Sequence, residues 1–357
     1  MLPCSIVDAF AAEGGAFTGN PAAVVVLGAA APGAWAPRSP CEGAHWPEDA
    51  YLLAVAKEFN LSETAYVAAL PAADGADAAA LPRFGLRWFT PAAEVALCGH
   101  ATLAAAHALF ERGAVPSGAC AIAFDTLHSG ELVVEREEAA SDGAGGARYT
   151  MDFPADPPGG DMRAAAGEGA VAGEACLSPT NVAAALGVED AQVRTVARGR
   201  FDYLVELETP SAVAAVEPNL GAVCRGMLAN ADAANADPAH PYPARGVIVA
   251  SAGGGDGEYA GVDFVSRAFF PNLNIDEDPV CGSAHCMLSP YFWSAARKPL
   301  AADGGGGNGG EAPMPLRAHQ LSARGGIVDC VVTAGGRVRL SGAAVTTMRG
   351  EVVGPKN

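Results

Sequence analysis

The spacing of apolar and polar residues changes along the chain, and each change predicts an element. Residues 5–10 and 21–27 are apolar runs of strand character, joined by a turn at Gly19-Asn20-Pro21 whose backbone donors are exposed. Helical spacing follows at Leu52, Val55 and Phe59 and stops at Asn60. Residues 61–67 form a further apolar strand with a carboxylate, Glu63, set into it. Aromatic-rich strands at 87–90 and 267–270 are halted by Pro91 and Pro271. After the first of them Leu103, His107 and Phe110 fall at helical spacing over 100–112, with Gly113 just beyond. Strands are predicted at 119–124 and 131–135, crossing into a second domain, and then at 149–153, 202–207, 246–250, 261–270, 316–322, 327–333 and 338–340. A helix over 178–186 takes Ser178 as cap and Pro179 in its first turn. Residues 29–47, 70–82, 141–147 and the glycine-rich 301–315 read as loops or insertions, the last expected to be disordered.

One stretch occurs twice. Arg87, Phe89 and Pro91 lead through an acidic connection to Cys98-Gly99-His100-Ala101 and an apolar segment ending on Phe110. Arg267, Phe269 and Pro271 lead in the same way to Cys281-Gly282-Ser283-Ala284 and Trp293. Matching order at nearly matching spacing implies one strand-turn-helix unit duplicated within the chain.

A length of 357 residues suits two domains, and 50% hydrophobic against 17% charged residues describes a packed globular protein. The formal net charge of −18 leaves no basic stripe for nucleic acid or an anionic membrane, so neither is an expected partner. A small anionic substrate is still compatible, because local donors can hold it. Nine cysteines without regular spacing read as reduced thiols. The start shows no secretory pattern and the apolar stretch over 22–36 is broken by Gly28, Pro32 and Gly33, so a cytoplasmic location is expected. No nucleotide or pyridoxal signature appears, the glycine run at 304–307 lacks the lysine of a phosphate loop, and the histidines show no closed zinc spacing. Neither a cofactor nor a metal is therefore expected.

The candidate chemistry gathers at the two helix starts. A helix opening on glycine presents unpaired N–H groups and the positive end of its dipole, which suits a carboxylate or enolate oxygen, and Gly99 and Gly282 let such oxygens approach. His100 stands in the first start, where the dipole opposes a positive ring. Asp278 and Ser283 flank the second, where they also suit capping. Glu63 faces solvent on a plain alternating strand, or is buried with its pKa pushed up toward proton-transfer range; the pattern alone leaves both open. Asn20 lines a substrate or simply makes a turn. Cys98 and Cys281 also stand at the helix starts, where thiol pKa values are lowered.

Taken together, Gly19-Asn20-Pro21-Ala22, Leu61-Ser62-Glu63-Thr64-Ala65, Leu97-Cys98-Gly99-His100-Ala101-Thr102, Glu277-Asp278-Pro279-Val280-Cys281-Gly282-Ser283-Ala284-His285 and Gln320-Leu321-Ser322-Ala323-Arg324-Gly325-Gly326 resemble the PhzF (phenazine biosynthesis-like) family. The likeness runs in family order over nearly the whole chain. It implies an α/β (α+β) fold of the diaminopimelate epimerase type: two pseudo-symmetric domains, each a mixed sheet curled around a central helix. The domains expected are 1–117, completed by 345–357, and 118–344. By the same resemblance, Glu63, His100, Asp278 and Ser283 match the active-site set, with Glu63 moving the proton in a cofactor-independent isomerase acting between the domains, and a homodimer is an assembly common among such proteins. Cys281 departs from the threonine frequent at that place. A two-thiol amino-acid epimerase or racemase and a non-catalytic metabolite-binding or interaction protein are the alternatives.

Overall fold

The computed structural model describes residues 1–12, 15–27, 36–37, 45–70, 81–137, 147–161, 179–223, 243–254, 257–297, 315–333 and 335–355. The expected insertions at 29–47, 70–82, 141–147 and 301–315 lie largely outside these residues, as does the expected cap Ser178. The chain divides into two compact units, Met1–Asp152 with Leu340–Asn357, and Phe153–Arg339.

In the first unit, β1 (Leu2–Ala11), β2 (Asn20–Leu27), β3 (Glu63–Ala69), β4 (Arg83–Phe89), β5 (Ala121–Thr126), β6 (Glu131–Arg136) and β7 (Ala147–Pro154) are successive neighbours. The last strand of the chain, Arg337–Val352, pairs with both β7 and β1 and so closes the strand order into a ring. Helix α1 (Asp49–Phe59) follows β2 and α2 (Gly99–Glu111) follows β4, and the β2–β3 and β4–β5 pairs are correspondingly parallel. Asn60 ends α1 in the left-handed conformation, its N–H bonded to the Ala56 carbonyl.

The ring encloses α2. Every residue from His100 to Leu109 is buried, whereas the Leu103, His107 and Phe110 stripe predicts a single buried face. Alanines at 101, 104, 105, 106 and 108 keep the helix narrow enough for strands to approach all of its sides.

The domain boundary differs from the expected one. Backbone pairing from Arg83↔Ala123 to Leu86↔Thr126 holds β5 against β4, and β6 and β7 follow by antiparallel pairing, so these strands stay in the first unit. The C-terminal strand pairs with β1 from Ala11↔Ala343 to Leu2↔Val352, and the first unit resumes at Leu340.

In the second unit α3 (Pro179–Leu186), β8 (Val193–Arg198), β9 (Tyr203–Leu207), α4 (Pro210–Ala214), β10 (Val247–Ala252), β11 (Phe264–Phe270), β12 (Ile275–Asp278), α5 (Gly282–Arg297), β13 (Pro315–Gln320) and β14 (Gly326–Thr333) follow in chain order. The sheet order is β8, β9, β10, β11, β13, β14, with β12 paired to β11. Val196, Val205, Val213, Val249 and Phe269 belong to one buried cluster, and Ala284 to Ser289 of α5 are buried as well.

The duplicated stretch has the same construction in both units. Each arginine and the phenylalanine two residues on share a strand face, and the guanidinium lies over the ring, 5.0 Å away for both Arg87–Phe89 and Arg267–Phe269. A returning arm brings a glutamate to each: Arg87 Nε and Nη2 donate to Glu94 at 2.7 and 2.6 Å, and Arg267 Nε and Nη2 to Glu277 at 2.7 and 3.0 Å. Arg87 has no exposed side-chain surface and also donates to Asp49. Removing Glu94 leaves the fully buried guanidinium with the half-exposed Asp49 as its carboxylate partner. Glu94→Ala should therefore lower unfolding free energy by about 3 kcal/mol. Glu131→Ala, at the exposed Arg83 pair, should cost under about 1 kcal/mol. Urea unfolding followed by tryptophan fluorescence checks the contrast, and equal costs would contradict it.

Candidate active site

In the first unit, parallel pairing of β2 and β3, with Ala22 opposite Glu63, brings both strand starts to one end of the sheet. Asn20 is the first residue of β2 and Glu63 the first of β3, and the amino end of α2 meets them there. Gly19 makes this entry possible: its φ is +71°, and an added Cβ would lie 2.4 Å from the Ala9 carbonyl oxygen.

His100, in the first turn of α2, is the hub. Asn20 Nδ2 donates to His100 Nδ1 at 3.2 Å, which leaves the ring proton on Nε2. The Ser62 hydroxyl donates to Asn20 Oδ1 at 3.3 Å and accepts from His100 Nε2 at 3.4 Å. The Cys98 thiol lies 3.4 Å from His100 Nδ1. Glu63 Oε2 is buried and receives no hydrogen bond, although His100 Nε2 approaches within 3.3 Å. Burial pushes the Glu63 carboxyl above its usual range, against the opposing pull of Ser62 and Cys98. The solvent-facing alternative for Glu63 is thereby overturned. Asn20, Glu63, Cys98, Gly99 and His100 form one cluster, and the structure adds Ser62, which no pattern in the chain singles out.

The second unit brings together Asp278, Cys281, Gly282 and Ser283. Asp278 ends β12 and Gly282 begins α5. Gln320, at the end of β13, fixes the segment between them: its amide oxygen accepts from Cys281 N at 2.9 Å and its Nε2 donates to the Asp278 carbonyl at 2.6 Å. Ser283 Oγ is exposed, 3.3 Å from Cys281 Sγ, and accepts from Arg245 Nη2 at 3.0 Å. Arg245 is paired in turn with buried Asp202 through Nε, at 3.1 Å, and Nη2. Arg245 and Gln320 carry no local sequence signal that ties them to Ser283 or Cys281, from which they lie 38 and 39 residues away in the chain.

The helix start does not activate Cys281. Burial, reinforced by the nearby Asp278 carboxylate, pushes its thiol up to about 12, so the expectation of a lowered thiol pKa fails at this position. Among the described residues Cys4, Cys98, Cys120, Cys281, Cys286 and Cys330 stand outside any disulfide, and no helix is long and apolar enough to cross a membrane.

The model of the family described as phenazine biosynthesis-like protein, PhzC-PhzF, matches residues 7–350. The chain belongs to this family. As a PhzF-like protein it is 34% identical over 351 residues to an uncharacterized isomerase of Halalkalibacterium halodurans, covering 98% of both chains. It is 33% identical to phenazine biosynthesis-like domain-containing protein 1 of Mus musculus, again over 98% of each. Among solved structures, a PhzF-family phenazine biosynthesis protein from Enterococcus faecalis shares 32% identity at a TM-score of 0.67, covering 99% of each chain. A probable proline racemase from Agrobacterium radiobacter, 12% identical at a TM-score of 0.53 and covering 99% of this chain and 93% of its own, shares the fold alone. The fold is accordingly of the diaminopimelate epimerase and proline racemase type.

The raised Glu63 pKa has a definite sign in stability. The folded state holds this proton at pH values where the unfolded chain, near 4.5, has released it, so the contribution is full below 4.5 and declines as pH rises toward the folded value. Relative to Glu63→Gln, the PhzF-like protein should lose about 1.4 kcal/mol of stability per pH unit across that window. Urea unfolding at a series of pH values measures this, and a pH-independent difference would contradict the buried, proton-holding carboxyl.

Proposed function

We propose that this PhzF-like isomerase moves a proton on a small carboxylic acid without a cofactor, the substrate being taken at the amino end of α2. The buried carboxyl of Glu63, with its unmet Oε2 beside His100, is the observation that carries this reading. The substrate presents a carbon–hydrogen bond next to an unsaturated or carbonyl-activated acid. Glu63 as carboxylate takes that proton, the electron pair moves into the conjugated system, and the same carboxyl returns the proton to another carbon, so nothing is oxidised or reduced. A carboxyl with a raised pKa is a stronger base when ionised and keeps the proton long enough to return it. His100 and Asn20 orient the carboxyl, while the N–H groups after Gly99 receive oxygens on which charge develops; in the second unit, the helix start at Gly282 with Ser283 offers donors of the same kind.

The two-thiol epimerase reading needs a readily ionised thiol from each half, and the raised pKa of Cys281 weighs against it. Small cyclic hydroxy and amino acids incubated with the protein in heavy water, and followed by mass spectrometry, distinguish the two. The Glu63 reading expects deuterium incorporation that falls at least about 100-fold in Glu63→Gln and persists in Cys98→Ala and in Cys281→Ala. Incorporation that survives Glu63→Gln but disappears in both cysteine variants would replace it with the thiol mechanism.

A further inference from the structure

We propose that Glu63, Cys98 and His100 also form a latent zinc site at the start of α2, whose occupation stops proton transfer. One donor atom from each residue, a carboxylate oxygen, a thiol sulfur and an imidazole nitrogen, lies within 4.8 Å of the other two. Zinc bond lengths of about 2.0–2.3 Å to such donors set tetrahedral edges of roughly 3.4–3.6 Å. The 3.3 Å between His100 Nε2 and Glu63 Oε2 already approximates one edge, and, with every donor pair within 4.8 Å, the thiol has to close by up to about 1.4 Å to complete the others.

Two features favour capture of an ion here. Side-chain exposure is 7% for His100 and 12% for Glu63, and Cys98 is 8% exposed, so much of the desolvation that a ligand set demands has been met by folding. Glu63 Oε2, buried without a hydrogen bond, gains in the metal the partner it lacks. Three protein ligands of mixed nitrogen, oxygen and sulfur type leave the fourth position to water. The ion takes the place of protons on the thiol and the carboxyl, and for His100 to ligate through Nε2 the ring proton moves to Nδ1, with the Asn20 amide turned to accept it; the ion is therefore no help to the reaction, because it engages the groups that Glu63 and His100 use for proton transfer. Sequence spacing conceals the site, because one ligand starts a strand and the others start a helix 35 residues on.

Only the inhibitory consequence rests on the proposed function; binding is independent of it. The full-length reduced protein is titrated anaerobically with cobalt(II), which reports thiolate ligation by a near-ultraviolet charge-transfer band, and then with zinc. One cobalt per chain is expected, with the band displaced by zinc, absent in Cys98→Ser, retained in Cys120→Ser and formed roughly tenfold more weakly or worse in Glu63→Gln. In the unmutated protein, zinc should also shield Cys98 from iodoacetamide, as read by peptide mass spectrometry, which avoids reliance on folded variants. No stoichiometric band, a band surviving in Cys98→Ser, or Cys98 alkylated equally with and without zinc would overturn the site. Stoichiometric binding that leaves deuterium exchange untouched would instead keep the site and remove Glu63 and His100 from the reaction.

Discussion

A helix enclosed on all sides cannot send the N–H groups of its first turn to bulk water, and this constraint organises the first unit. α2 begins at Gly99 behind Cys98, whose side chain makes no capping bond, and runs directly into the buried His100. The ring of strands that buries the helix also determines what surrounds its amino end. Because β2 and β3 run parallel, their first residues reach the same place, and the polar side chains there, Asn20, Ser62 and Glu63, knit to one another and to His100. The burial that stabilises the unit therefore also withholds water from a carboxyl, and its pKa rises.

The second unit repeats the construction with different chemistry. Arg267 and Glu277 reproduce the clamp of Arg87 and Glu94, and Gly282 opens α5 as Gly99 opens α2. At its helix start, however, stand an exposed hydroxyl held by Arg245 and a thiol that burial keeps protonated. The two units share the scaffold, with a histidine in the first turn of one helix and a serine in the first turn of the other.

Much of this was legible in the chain. The repeated Arg-x-Phe-x-Pro and Cys-Gly pairs marked equivalent strand-turn-helix units, and Asn60 and Gly113 marked helix ends, since these are local signals of pattern and backbone preference. Glu63 was ambiguous because alternation along β3 does not reveal that the strand start is covered by α2. Ser62, Arg245 and Gln320 act through partners 38 to 42 residues away or farther in the chain, and no local periodicity encodes such meetings. The boundary near 117 was misplaced for the same reason: which strand β5 pairs with is a property of the sheet. For Cys281, the dipole argument pointed one way and burial, the larger effect, prevailed.

The account depends on Glu63 carrying a proton in the folded protein under conditions where an ordinary carboxyl is ionised. Infrared difference spectroscopy of the wild type against Glu63→Gln, with glutamate carboxyls isotopically labelled, observes that proton directly through the carbonyl stretch of the neutral acid. A protonated-carboxyl band that is lost in the variant, and that persists well above pH 4.5, is the predicted result. A spectrum in which residue 63 contributes only carboxylate bands at every pH above that value would contradict it.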